Sequence, residues 1–138
     1  MSIFTKILAK EIPGHFIWED ELCFSIMTIA PIRQGHVLVI PKQEINHWDD
    51  VPAETAAHLM LVSQKIAKGI KAVIDCKRVG VSVIGLEVPH THIHLIPIDS
   101  MDDLDFKLAK EMSQSLLADT AEKIKKVLQA SGYSESEI

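Results

Sequence analysis

Three histidines alternate in the run His90-Thr91-His92-Ile93-His94-Leu95-Ile96-Pro97. Successive side chains of a strand point to opposite faces. A strand over 90–97 would therefore project His90, His92 and His94 from one face and Thr91, Ile93 and Leu95 from the other, into a core. Neighbours on one face of a strand lie about 6.5–7 Å apart. That is too far for direct contact between imidazoles, but near enough for one phosphate to bridge two rings. Near neutral pH an imidazole serves as a nucleophile, an acid or a hydrogen-bond donor. No lysine or arginine occurs between Val79 and Asp99. A phosphate here is thus expected to rest on histidine N–H groups and backbone amides. The pattern fits a metal as well: His-x-His on a strand ligates zinc when a third ligand joins it, and His36, Glu44 and Glu87 are candidates. Both chemistries stand open on spacing alone.

The surrounding elements must hold this run in place. Ile3–Leu8 has the apolar spacing of a short helix, broken by Glu11-Ile12-Pro13-Gly14. Residues 15–19 and 22–28 are expected as two strands of a hairpin, and 36–40, ended by Pro41, as a third. Over 53–74, Leu59, Val62, Ile66, Ile70 and Val73 form one stripe of a long helix. Strands follow at 78–84 and 90–97, then a second helix over 103–130 with Leu108, Met112, Leu116, Ile124, Val127 and Leu128 among its apolar positions. The tail from 131 onward is polar and expected to fray. Hairpin-joined strands with segregated helices predict an α+β fold built on an antiparallel sheet.

The 138 residues suit a single domain, and 47% hydrophobic with 24% charged residues is ordinary for a globular chain. The net charge of −5 argues against a nucleic-acid surface, without excluding a small nucleotide. No apolar run reaches the length of a membrane span, and no signal peptide is read, so a cytosolic protein is expected. Cys23 and Cys76 are expected reduced and buried, with no disulfide. His15, His47 and His58 lie outside the triad and are assigned no catalytic part, His58 being read as solvated; Trp48 is read as a partly buried loop anchor and Trp18 as core or interface.

The run His90-Thr91-His92-Ile93-His94-Leu95-Ile96 resembles the signature of the histidine triad (HIT) family. Gly85-Leu86-Glu87-Val88-Pro89 resembles the lead-in of its Hint-like bacterial members. Ile3-Phe4-Thr5-Lys6-Ile7, Glu11-Ile12-Pro13, Pro31 and Gly35-His36-Val37-Leu38-Val39-Ile40-Pro41-Lys42 match that branch too. The resemblance covers about residues 3–98, leaving 99–138 as a helical extension. It implies a five-stranded antiparallel sheet and a homodimer. His92 would attack the α-phosphorus of a nucleotide and form a nucleotidyl-histidine. His94 would bind phosphate oxygens, and His90 with His36 would form a supporting relay. The typical reaction is hydrolysis of nucleoside 5′-phosphoramidates, with no cofactor. Phe4, Ile7, Ile26, Ile29 and Leu38 stand where relatives contact base and sugar. Thr28 stands where relatives commonly carry a ribose-binding aspartate. Glu87 falls where some relatives have a serine near the leaving group, and Val88 follows it. The segment 78–85 is shorter than in many relatives and lacks their asparagine. Where some relatives hold structural zinc with two cysteines and a histidine, this chain has Ser2, Thr5 and Glu44, so no structural zinc is expected. A zinc-dependent hydrolase and a nucleotide-binding protein with weak catalysis remain the alternatives.

Overall fold

The computed structural model describes residues 1–138. Its elements are α1 (Ile3–Leu8), β1 (Phe16–Glu19), β2 (Cys23–Met27), β3 (Val37–Pro41), α2 (Ala53–Val73), β4 (Arg78–Ser82), β5 (Ile93–Ile98) and α3 (Gln114–Ala130), with short 3-10 turns between them. The strands form one sheet in the order β1-β2-β3-β5-β4, and every neighbouring pair is antiparallel. The expected α+β fold with a five-stranded antiparallel sheet is therefore the one observed.

Local chemistry sets the element ends. The Ser2 hydroxyl caps α1 by accepting the Thr5 N–H at 3.2 Å. In the β1–β2 turn, one oxygen of Asp20 accepts the N–H groups of Leu22 and Cys23 at 2.8 and 2.9 Å, an arrangement that aspartate favours in turns. Gly35 has φ +94°, and a Cβ there would sit 2.8 Å from Ile74 and 3.1 Å from Pro97. Only glycine fits the turn that delivers His36 to the start of β3.

The strand period sorts the sheet into two faces. Val37, Val39, Ile93 and Leu95 join Leu59, Val62, Ile66 and Ile70 of α2 and Leu117, Ala121, Ile124 and Leu128 of α3 in the larger core. Burying each of the larger aliphatic side chains contributes about 1.5–3 kcal/mol. On the other face, Phe24, Ile26, Leu38 and Ile40 pack beneath Phe4 and Ile7 of α1. Leu38 lies directly opposite His94 in the register, so this second face is the one that carries the histidines.

Several expectations are corrected. The second helix begins at Gln114, not near 103. Residues 101–112 instead form two 3-10 turns and a strap, tied by main-chain bonds from Lys110 N–H to the Pro31 carbonyl (3.3 Å) and from Met112 N–H to the Ile29 carbonyl (3.2 Å). Asp105 and Ser113 each cap the turn that follows, through Lys107 N–H and Leu116 N–H, so the chain leaves and re-enters helical geometry at defined points. The last strand begins at Ile93 rather than His90. The tail is docked, not frayed: Tyr133 packs on Trp18, Ser136 is buried, and Lys125 donates to the Ile138 carbonyl. Trp18 is core, one of its two expected places, while Trp48 is 59% exposed and not the partly buried residue expected. His58 is not simply solvated, since its Nε2 lies 2.7 Å from Asp20. Both cysteines are free; Cys23 is buried, whereas Cys76 is only half-buried.

Candidate active site

Four histidines converge from three places: His36 ahead of β3, His90 and His92 in the loop leading to β5, and His94 on β5 itself. Because 90–92 is not strand, the rings do not repeat at the even spacing of a ladder. The centroids of His92 and His94 are 4.9 Å apart, and those of His36 and His94 are 5.2 Å apart. The loop is fixed by Thr91, whose N–H and hydroxyl both donate to the Ile45 carbonyl at 2.7 and 2.8 Å.

Hydrogen bonding assigns the proton on each ring, because a carbonyl only accepts and a backbone N–H only donates. The Nε2–H of His90 donates to the Pro41 carbonyl at 2.8 Å, and its Nδ1 accepts from the Ser2 hydroxyl at 2.6 Å. The Nδ1–H of His92 donates to the His90 carbonyl at 2.7 Å. His36 accepts the Ile32 N–H at Nδ1 (3.0 Å), so its Nε2–H donates to Nδ1 of His94 at 2.9 Å. Six of the eight ring nitrogens are thereby engaged. The two left over, Nε2 of His92 and Nε2 of His94, belong to rings that line one cavity. With neutral rings, His92 presents a lone pair there and His94 an N–H.

Burial favours that neutral state. Desolvation, helped by His94 and His92, holds His36 down to about 3. Desolvation and the neighbouring His92 bring His94 down to about 4. His90 and His92 are also lowered, chiefly by burial, against the opposing effect of their bonds to the carbonyls of Pro41 and His90. At neutral pH the cluster is a set of uncharged imidazoles with fixed tautomers.

The cavity measures about 400 Å³. Thr28, Ala30 and His36 wall one side, residues 84–88 another, and Phe106 and Ala109 of the strap the third. The Phe106 ring meets His94 edge-on at 4.8 Å. No lysine or arginine lines the hollow, and Glu87 is its one carboxylate.

Of the residues singled out from sequence, His36, His92, His94, Thr28, Glu87 and Val88 line the cavity. His90 does not; it is fully buried behind His92. Nor does it pair with His36, whose partner is His94. Phe4, Ile7, Ile26 and Leu38 form the packed cluster beside the cavity and meet it through Val88, and Phe4 also contacts His92 at 4.9 Å between centroids. Ile29 is 55% exposed. Sequence reasoning missed Phe106 and Ala109, which lay inside a stretch read as helix, and Ala30, Ile84 and Leu86, which carry no chemical signal of their own.

A buried imidazole with a free Nε2 thus sits beside a second that offers its Nε2–H, over an antiparallel sheet. The HIT domain family model matches residues 9–101. An uncharacterised HIT-like protein of Borreliella burgdorferi is 30% identical over 118 residues, covering 80% of this chain and 85% of that one. The adenosine 5′-monophosphoramidase of Saccharomyces cerevisiae is 34% identical over 98 residues, covering 69% of this chain and 61% of the yeast protein. Among solved structures, a hypothetical histidine triad nucleotide-binding protein from Sulfolobus tokodaii superposes with TM-score 0.80 at 25% identity, covering 97% of this chain and 96% of that one. The chain belongs to the HIT domain family.

Proposed function

We propose that the chain cleaves nucleoside 5′-phosphoramidates or related nucleotides, as a hydrolase or nucleotidyl transferase, with His92 as the nucleophile. The observation that carries this reading is the free Nε2 of His92, whose opposite nitrogen is pinned by the His90 carbonyl. The yeast relative, whose name states the phosphoramidase activity, supports it, as does the nucleotide-binding name of the Sulfolobus neighbour.

In the first step the His92 lone pair bonds to the α-phosphorus and the phosphorus–nitrogen bond breaks. Its electron pair leaves with the amine nitrogen, which takes a proton from solvent water. The His92 ring becomes cationic, and its Nδ1–H stays on the His90 carbonyl. His94 donates its Nε2–H to a non-bridging oxygen, where negative charge is concentrated. Water then attacks phosphorus and releases a proton to solvent, replacing the one the amine took; the histidine–phosphorus bond breaks, and its electron pair returns to Nε2. One hard displacement becomes two easier ones. A metal bound by three of these rings would have to take nitrogens that are already hydrogen-bonded, which favours the nucleophilic reading over the metal one. A homodimer belongs to the same proposal. It is supported by β4, an edge strand whose Val81, with Ile84 and Leu86 beyond it, is 47%, 45% and 90% exposed, respectively.

The test is a rapid quench of the protein with adenosine 5′-monophosphoramidate, under neutral or alkaline conditions, followed by intact and peptide mass analysis. A nucleotidyl adduct on the peptide carrying His92 is expected. Full turnover by a His92→Ala variant overturns the proposal.

A further inference from the structure

At the closed end of the triad, three polar residues from outside it are wired to His90. Glu44, in the loop after β3, accepts the Ser2 N–H and the Thr5 hydroxyl on one oxygen, at 2.5 and 2.7 Å. Those bonds hold its carboxylate down to about 2, although it lies at the surface. With the Thr5 proton committed to Glu44, the Ser2 hydroxyl has two acceptors in reach: His90 Nδ1 at 2.6 Å and Thr5 Oγ1 at 3.3 Å. The shorter contact wins, since 3.3 Å lies beyond the usual range for a hydroxyl donor. The Ser2 oxygen is meanwhile held in place by the Thr5 N–H. His90 Nδ1 thus receives a proton it does not own, and its single ring proton stays at Nε2, on the Pro41 carbonyl.

The consequence passes to His92 through the backbone. The carbonyl that receives the His92 Nδ1–H is that of His90 itself. With both ring nitrogens pinned, the His90 side chain anchors its own main chain; released, a shift of that backbone moves the acceptor, and with it the direction of the His92 lone pair. Residues 44–45 grip the same segment twice, Glu44 through Ser2 and Ile45 through both donors of Thr91.

The geometry points to Ser2 and Glu44 as positioning residues: with Thr5 they form a hydrogen-bonded brace that fixes the tautomer and orientation of His90 and, through its carbonyl, aims Nε2 of His92 into the cavity. Neither touches the cavity, so neither is catalytic. The inference rests on the proposed function only for its effect on rate. The effect on the rings stands without it.

The test uses full-length Ser2→Ala, Glu44→Ala and Glu44→Gln proteins. It combines imidazole ¹⁵N NMR of His90 and His92 with steady-state kinetics on adenosine 5′-monophosphoramidate. Glu44→Gln keeps an oxygen acceptor for Ser2 and Thr5 and is the conservative rescue. Ser2→Ala and Glu44→Ala are expected to shift the His90 Nδ1 and His92 nitrogen signals. They should lower kcat on the order of tenfold with KM within about twofold, a mis-aimed nucleophile being costlier in the transition state than in binding. Glu44→Gln should stay near wild type. Unmoved nitrogen signals, or moved signals with unchanged kcat, overturn the brace. If the wild-type protein turns nothing over, the proposed function falls while the nitrogen signals still decide the brace. If Ser2→Ala does not fold, Glu44→Ala gives the same reading through the two groups it frees.

Discussion

On one face of the sheet Val37, Val39, Ile93 and Leu95 pack against two helices; on the other His36, Leu38 and His94 approach a cavity. The first face is held by many interchangeable contacts. Seventeen buried residues share the load, and the fit is tight where Gly69 lets Leu128 come so close that an added Cβ would lie 3.2 Å from it. On the second face, beside the smaller apolar cluster under α1, the histidines are held by single, directed bonds, each of which assigns a proton. Damage to the first should appear as lost stability with the chemistry intact. Damage to the second should appear as lost chemistry in a folded protein.

The contrast is broken most sharply at His92. His92→Ala should lower kcat by about 10⁶-fold, as loss of a nucleophile does, while the thermal midpoint moves little; activity assays and circular dichroism on one sample check both. Next is Leu128→Ala on the helical face. It should cost about 2–5 kcal/mol in urea unfolding and leave kcat/KM of the folded fraction unchanged. The third prediction concerns pH. The folded-state pKa of His36 lies at about 3, below its ordinary value of 6.5. Between those limits the unfolded chain binds the proton and the native one does not, so stability falls as pH drops below 6.5. One such proton contributes a slope of about 1.4 kcal/mol per pH unit. Unfolding of His36→Gln compared at pH 7 and pH 5 should lose that share of the slope. The smallest effect is expected from Phe106→Ala, which removes the ring edge against His94. An aromatic contact of about 0.5–1.5 kcal/mol translates to a roughly two- to tenfold change in kcat/KM, with the His92 adduct still formed.

The two faces also differ in how far they could be read from sequence. The stripe Leu59, Val62, Ile66, Ile70 announces a helix because its spacing is a local, repeated signal, and the α2 boundary at Ala53 follows from it. The strap escaped because Leu104, Leu108 and Met112, four apart, mimic a helical stripe. What pulls them out of helix is a pair of bonds to residues 29–31, about eighty positions away. The histidine pattern identified the site, since three imidazoles in five residues have few other uses. It did not reveal which ring is closed off and which open. That depends on Pro41, Ser2 and Ile32, whose backbone or hydroxyl partners are chosen by the fold.

A hollow that grips through uncharged donors, with a carboxylate at its rim, carries no standing attraction for anions in a chain that is itself negative. A phosphorylated ligand therefore approaches without attractive steering, against a like-charge repulsion that added salt screens. The same neutrality speeds departure. A product that carries negative charge in the proposed reaction finds no fixed counter-ion to detain it in the hollow.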